Sequence, residues 1–327
     1  MAEYDRLPAV RGVDLMGQPR WKADDPELVR TLDLYHHLKS AAATARALGI
    51  PVSTVKSRVD SAKQLATTPA PQPQQEYPAR QVASIENGVV LIGSDCHYWT
   101  GEATTAHRAF VKACKDHKPD IVIMNGDVLD GASISRHSPL QWESNPTLIE
   151  EMEACQERLH EICMAAPKAR KVWTLGNHDA RYEARLAAVA PEFANIKGVH
   201  LKDHFPLWEP CWSIWLNSAV VVKHRWKGGV HATHNNALNS GKSMVTGHLH
   251  SLKVTPYSDY NGTRFGVDTG TLAEPYGEQF QYSEDNPVNW RSGFALLTFE
   301  NYELRWPEVI HVVGAGVVEF RGKGYSV

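Results

Sequence analysis

Five short clusters of acidic, imidazole and amide side chains follow apolar runs along the chain. They are Asp95 with His97, Asp127 with Asp130 after Gly126, Asn177–Asp179 after Gly176, His224 alone, and His248 with His250 after Gly247. Carboxylate, imidazole and carboxamide donors, with no thiolate among them, suit divalent first-row metals such as Mn, Fe or Zn better than Ca or Mg. Seven candidate ligands (Asp95, His97, Asp127, Asn177, His224, His248 and His250) exceed what one tetrahedral zinc needs. Two ions sharing a bridging carboxylate would use them all. Such a centre carries a net positive charge, which suits a phosphate ester: the ions activate water for in-line attack and neutralise charge growing on the phosphoryl oxygens. The chain holds 16 His, so coincidental neighbours are expected as well, and His36 with His37 read as a surface pair on a helix.

Residues so far apart must be brought together by the fold. The runs Val89 to Gly93, Ile121 to Met124, Val172 to Leu175, Ala219 to Val222 and Met244 to Thr246 read as buried strands. Helical patterns at Thr105 to His117 and Leu148 to Ala165 separate the first three, which argues for a layered α/β domain. In such sheets ligands collect beyond the carboxyl ends of strands, so groups more than 150 positions apart, such as Asp95 and His250, should share one crevice. After His250, segments at Val267 to Thr269, Ala295 to Phe299, Val309 to Val313 and Val317 to Phe320 predict a strand-rich second half.

The order D-x-H (Asp95, His97), G-D-x-x-D (Gly126 to Asp130), G-N-H-D (Gly176 to Asp179), lone His224 and G-H-x-H (Gly247 to His250) resembles the five motifs of calcineurin-like metallophosphoesterases. The resemblance implies a four-layer α/β/β/α sandwich around two facing mixed sheets. It also implies that Asp95, His97, Asp127 and His250 hold one metal, and Asp127, Asn177, His224 and His248 a second, with Asp127 bridging. Mn is the first expectation for both ions, with Fe or Zn as alternatives. His178 would be the general acid, oriented by Asp130. Arg225 follows His224 where the family often has glycine, and His231 and His234 lie near enough in sequence to take its place. Gly131 stands where phosphoprotein phosphatases carry arginine and Asp179 where they carry glutamate, which points away from a Ser/Thr phosphatase. Arg136, His137 and Arg181 are candidates to grip a phosphate near the metals.

Upstream, Leu28, Leu32, Tyr35 and Leu38 recur at helical spacing after Pro26, a second short helix covers Ala41 to Leu48 before Gly49, and a third is expected from Ser53, as N-cap, to Leu65. The stretch ARALGIPVSTVKSRVDSAKQL resembles the region-four helix-turn-helix of sigma factors. By that resemblance Ser53, Thr54, Lys56, Ser57 and Arg58 would contact a DNA groove or its phosphates. Lys39, Arg46, Lys56, Arg58 and Lys63 against Asp60 give this stretch a charge of +4, which can supply phosphate contacts. A small protein-docking module of three helices is the alternative.

The whole chain of 327 residues is slightly acidic, with a formal charge of −3, which excludes a globally basic nucleic-acid coat. Five scattered Cys exclude a disulfide framework and fit a cytoplasmic protein. No apolar run reaches the roughly 20 residues of a membrane helix, and no membrane partner is expected. The expected organisation is an N-terminal tail (1–25), an all-α helix-turn-helix (26–66), a Pro/Gln-rich linker (67–88) and a metallophosphoesterase sandwich (89–327). Oligomeric state is open from the sequence. The function this suggests is a dinuclear-metal phosphodiesterase acting on DNA, a nuclease. The alternatives are a phosphomonoesterase or small-molecule diesterase, or a non-catalytic DNA-binding protein with a structural metal site. Trp208, Trp212, Trp215 and Trp226 are more readily packing residues than base-stacking ones.

Overall fold

The computed structural model describes residues 25–67 (of 63–67 the backbone only), 77–136 and 145–327. The expected tail up to residue 24, residues 68–76 of the expected linker, the Lys63 side chain and His137 lie outside the described residues. The chain divides into two compact units, Met1–Glu76 and Tyr77–Val327.

The first unit contains three helices, α1 (Pro26–Leu38), α2 (Ala41–Leu48) and α3 (Val52–Thr67). Asp25 caps α1, its Oδ1 accepting from the backbone N–H groups of Glu27 (3.0 Å) and Leu28 (3.3 Å), and Pro26 takes the first turn, where no N–H is needed. Ser40 caps α2, which ends at Gly49 with φ 64°, a left-handed conformation glycine adopts without steric cost. The start of α3 differs from the expectation. The Pro51 carbonyl accepts from Val55 N at 3.3 Å, so the helix begins at Val52 and Ser53 lies inside its first turn instead of capping it. Ala45, Val55 and Val59 form a small core with Leu32 and Tyr35 against it.

The second unit is the layered α/β domain. Its elements, in chain order, are β1 (Gln81–Ala83), β2 (Gly88–Gly93), α4 (Thr105–His117), β3 (Ile121–Met124), α5 (Leu148–Ala165), β4 (Arg170–Thr174), α6 (Asp179–Val189), α7 (Leu201–His204), β5 (Glu209–Cys211), β6 (Ile214–Leu216), β7 (Val220–Val222), α8 (Ala232–Ser240), β8 (Ser243–Thr246), β9 (Lys253–Asp259), β10 (Gly262–Asp268), β11 (Gly293–Glu300), β12 (Glu303–Leu304), β13 (Glu308–Gly314), β14 (Val317–Phe320) and β15 (Lys323–Ser326). The larger sheet runs β15-β14-β13-β11-β2-β3-β4-β5, with β12 on β11, and is parallel from β2 to β5. The smaller runs β1-β6-β7-β8-β10-β9, with β7, β8 and β10 parallel.

Alternation along the strands divides two cores. Val90, Ile92, Ile121, Ile123 and Val172 face the smaller sheet, meeting Val220, Val222, Val245 and Val267. Leu91, Val122, Met124 and Trp173 point the other way, onto Phe110 of α4 and Met152, Leu159 and Ile162 of α5. With α8 against β8, β9 and β10, the layers are α/β/β/α, as expected. All five Cys are free and buried, and Cys96, between two candidate ligands, points into the outer core. No helix among the described residues is long and apolar enough to cross a membrane.

The expected linker ends earlier than Gly88, because residues from Tyr77 on belong to the sandwich. Gln81 to Ala83 pair in parallel with Ile214 to Leu216. Arg80 lies over the Trp215 ring at 3.8 Å, and buried Tyr77 donates its hydroxyl to Glu183. A chain starting at Tyr77 should therefore melt like the full-length α/β unit, whereas one starting at Ala83 loses these contacts. At roughly 1.5–3 kcal/mol per large buried side chain and 2–4 °C per kcal/mol, its Tm should fall by at least about 4 °C. Equal Tm values for the two chains in thermal scans would contradict this boundary.

Candidate metal centre

The clusters leave the carboxyl ends of neighbouring parallel strands. Asp95 and His97 follow β2, Asp127 and Asp130 follow β3, and Asn177 and His178 follow β4, all in the larger sheet. His224 follows β7, and His248 and His250 follow β8, in the smaller sheet. The facing sheets thus bring the two sets to opposite lips of one crevice.

Two groups of potential ligands form there: Asp95, His97 and His250, and Asp127, His224 and His248, each with its donor atoms within 4.8 Å of one another. They adjoin through His224, whose Nε2 lies 3.0 Å from Asp127 Oδ2 and 4.0 Å from Asp95 Oδ1. His250 Nε2 is 3.0 Å from Asp95 Oδ1. His224 is buried here, while His231 is exposed ahead of α8 and His234 packs on Tyr257, so His224 is the residue the fold brings to the cluster. His97, Asp130 and His178 form a third group on the rim.

Hydrogen bonding selects which imidazole nitrogen faces the centre. His224 Nδ1–H donates to the Asn125 carbonyl at 2.8 Å, leaving the Nε2 lone pair toward Asp127. His97 Nδ1 lies 2.8 Å from Asp130 Oδ1, again leaving Nε2 free. The Nε2 atoms of His97 and His224 and the Oδ1 of Asn177 are buried with no hydrogen-bond partner. Buried polar atoms without hydrogen-bond partners are costly, and these follow strand ends whose carboxylates and imidazoles cluster, which fits a site for cations.

The electrostatics agree. Burial by itself would raise the carboxyls of Asp95, Asp127 and Asp130, yet all three are held below the ordinary carboxylate range. The opposing groups are His250 and His224 at Asp95, His224 and His178 at Asp127, and His178 and His97 at Asp130. Burial lowers His97 and His248, favouring the neutral imidazole that ligates metal. Burial lowers His224 too, but Asp127 and Asp95 outweigh it and push that group up to about 10. The middle of the cluster therefore demands positive charge, which divalent ions would supply.

Backbone geometry at the centre is unusual. Asp95 (φ 51°), His97 (40°), Asp127 (51°), His248 (70°) and His250 (53°) all occupy the left-handed region. Such conformations cost on the order of 1–3 kcal/mol each and persist where the surroundings over-determine them. Asp95 N donates to the Gly126 carbonyl at 2.8 Å, His97 N to the Asp127 carbonyl at 2.9 Å, and His248 N to the Asp95 carboxylate at 2.9 Å. Asp179 stitches the loops after β3 and β4. Its carboxylate accepts from the N–H groups of Asp127 (2.9 Å), Val128 (2.9 Å), Leu129 (3.1 Å) and Gly176 (2.8 Å) and from Trp173 Nε1 (3.0 Å).

His178 sits with Nδ1 2.9 Å from the Asp130 carbonyl and Nε2 3.9 Å from Asp127 Oδ2. Arg181 donates to the Asp130 carbonyl at 2.9 Å and to His178 Nε2 at 3.1 Å. Arg136 is exposed at the end of a described stretch, and no contact ties it to the cluster. The tryptophans singled out from sequence are elsewhere engaged: Trp208 is in the outer core, Trp215 under Arg80, and Trp226 beside Lys227.

Three supports had little or no sequence signal. Glu151 of α5 accepts from Gly131 N (2.6 Å) and Ala132 N (3.0 Å), and burial pushes its carboxyl up to about 7. Asp268 accepts from Ser251 N (2.9 Å) and Gly270 N (3.0 Å), and its place in a D-T-G run after β10 was the available clue. Phe280 and Trp290 pack on the ligand rings, with centroids 5.0 Å from His97 to Phe280 and 4.8 Å from His250 to Trp290.

Comparison with known proteins gives a match to the family described as calcineurin-like phosphoesterase over residues 88–263. The Gene 54 protein of Mycobacterium phage L5 is 27% identical over 233 residues, covering 63% of this chain and 87% of that protein. Among solved structures, Yfce, a phosphoesterase from E. coli, is 18% identical, covering 67% of this chain and 97% of its own, with a TM-score of 0.33. Vps29 of Chaetomium thermophilum is 10% identical, covering 73% and 98%, with a TM-score of 0.39.

A methyl group at Gly176 would stand 2.0 Å from Asp127 Oδ1 and 2.5 Å from Asp127 N. Gly176→Ala must displace the one carboxylate that belongs to the second ligand group and touches the rim. It should lower bound metal per chain, read by elemental analysis after Mn loading, and shrink the stabilisation that Mn confers. Ligand at a hundredfold excess over Kd contributes about 2.7 kcal/mol, so wild-type Tm should rise by roughly 5–10 °C with Mn and return with EDTA. Wild-type metal content in the alanine variant would sink this account of Gly176.

Proposed function

The chain belongs to the calcineurin-like phosphoesterase family, and from that premise we propose that it is a dinuclear-metal phosphodiesterase acting on DNA. The observation that carries the reading is the pair of candidate ligand groups that adjoin through His224, which faces both Asp127 and Asp95. Asp95, His97 and His250 would hold one ion and Asn177, His224 and His248 the other, with Asp127 between. The donor set suits Mn, Fe or Zn. When bound, the two ions supply activated water and Lewis acidity toward the phosphoryl oxygens.

The protein's own groups do the rest. His178 stands at the rim with Nδ1–H fixed by the Asp130 carbonyl, so a proton on Nε2 is aimed at the crevice. Its affinity for that proton is raised, because Asp130 and Asp127 outweigh the burial that opposes it. A guanidinium only donates, so Arg181 on Nε2 and a proton on Nε2 exclude each other. Once Arg181 turns to a phosphoryl oxygen of the substrate, Nε2 takes up a proton from water, and His178 gives that proton to the departing alkoxide.

DNA as substrate is supported by the three-helix unit. Ser53, Lys56 and Ser57 are exposed on α3 and Thr54 is half-buried. Arg58 is turned inward, donating to Thr31 Oγ1 at 3.0 Å and pairing with Glu27, so it ties α3 to α1.

The deciding experiment is Mn-loaded protein on single- and double-stranded DNA, read on a gel beside a nitrophenyl diester. Turnover of the diester with intact DNA would remove the nuclease reading and leave the phosphoesterase one. His178→Ala should keep its metals and lose about 10²- to 10⁴-fold on DNA, but far less on the nitrophenyl ester, whose leaving group needs little proton help. Equal losses on both would make His178 a phosphate-positioning group. Lys56→Ala should weaken DNA binding and reduce the slope of log K against log salt by about 0.9, one phosphate contact. An unchanged slope would mean that the exposed face of α3 does not meet DNA.

A further inference from the structure

The segment between β10 and β11 lies beyond the residues that match the family, yet it walls one side of the metal centre. Phe280 is buried between the ligand rings and the outside, its centroid 5.0 Å from His97, 5.5 Å from His250 and 5.0 Å from Trp290. One layer farther out, Tyr282 is 6.1 Å from Phe280 and 6.4 Å from Trp290, and it is 55% exposed. Rings thus step outward from the ligands: Phe280 locks the ligand imidazoles, and Tyr282 and Trp290 stand beside the crevice mouth. Much of the Tyr282 ring surface remains open to solvent.

Charge excludes one occupant. The same segment carries Glu274, Glu278, Glu284 and Asp285, all exposed, against Arg291 alone. Negatively charged groups are disfavoured beside these carboxylates, and the exposed Tyr282 ring offers a flat apolar face. A group that binds there must be flat, uncharged and attached close to the phosphate at the metals.

Building on the phosphodiesterase reading, we infer that Tyr282, with Trp290 behind it, is a stacking subsite for the nucleobase adjoining the scissile phosphate. The base and phosphate of one nucleotide are separated by a single sugar, which matches a ring platform placed one aromatic layer from the ligands. Stacking tolerates any base, so this subsite selects nucleotides over other phosphodiesters without choosing a sequence. Phe280 serves differently, packing on His97 and His250 to hold their ring orientation.

The test compares two esters with one leaving group: thymidine 5′-(p-nitrophenyl phosphate) and ethyl p-nitrophenyl phosphate, on the Mn-loaded full chain. The expected wild-type preference in kcat/KM for the thymidine ester is about tenfold or more. Tyr282→Ala should remove most of that preference, whatever it does to turnover of either ester. Tyr282→Phe, which keeps the ring and loses the hydroxyl, should retain it. A wild-type ratio near one, or equal loss of preference in Tyr282→Phe and Tyr282→Ala, would overturn the subsite, and turnover of both esters would leave the diesterase reading standing. If neither ester turns over, that reading fails, and the subsite is judged by calorimetry. Thymidine 5′-monophosphate should then bind the Mn-loaded protein about tenfold tighter than ribose 5-phosphate. That difference should vanish in Tyr282→Ala, and equal wild-type affinities would overturn the proposal.

Discussion

Asp127 is a carboxylate taken out of water, and much of the α/β unit is arranged to make that tolerable. Its Oδ1 accepts from His178 N at 2.8 Å, its Oδ2 faces His224, its N–H is held by Asp179, and its carbonyl accepts from His97 N. Loops after β2, β3, β4 and β7 therefore meet on one residue. Asp95 and Asp130 are buried within the same few ångströms, and an isolated buried carboxylate would simply take up a proton. Neighbouring imidazoles keep these groups ionised, and the orphaned acceptors show where positive charge belongs.

The left-handed conformations of five candidate ligands follow from this arrangement. A strand that ran on in extended form would keep Asp95 and His97 on one face but carry His97 roughly 7 Å farther along it. Turning the chain sharply at the strand end instead keeps both residues at the crevice, with backbone bonds across to Gly126 and Asp127 holding the turn. Glycine accompanies three of these turns for a second reason. A side chain at Gly126, Gly176 or Gly247 would collide with His224, Asp127 or Asp95 at 2.4 Å or less. The motif glycines are spaces kept open for ligands.

The candidate metal ligands all lie between Asp95 and His250, whereas the aromatic wall comes from the segment before β11 and the exposed polar face of α3 from a separate unit. Rigid strand ends hold the reactive centre, and connecting segments beside it are free to vary in chemistry. α6 carries Arg181 one turn beyond His178, so one helix start positions both the imidazole and the guanidinium that donates to its Nε2.

The sequence by itself determined the layers and where the candidate ligands fall along the chain, because both are written in local pattern. Apolar runs such as Ile121 to Met124 and amphipathic stretches such as Thr105 to His117 became β3 and α4 with the same bounds, and each ligand sits a few residues past a strand. Chain-distant consequences were not legible. The capture of Tyr77 and Gln81 to Ala83 by β6, the inward turn of Arg58 to Glu27 and Thr31, and the selection of His224 over His231 and His234 each depend on a partner remote in sequence. The five donors on Asp179 and the ring ladder from His97 through Phe280 to Tyr282 carry no periodicity that could announce them. Residue type and spacing report propensity and donor chemistry, which are local. Which nitrogen faces a metal, which backbone turns left-handed and which ring stays exposed are decided by burial and by hydrogen bonds between segments, and those exist only once the sheets have closed on each other.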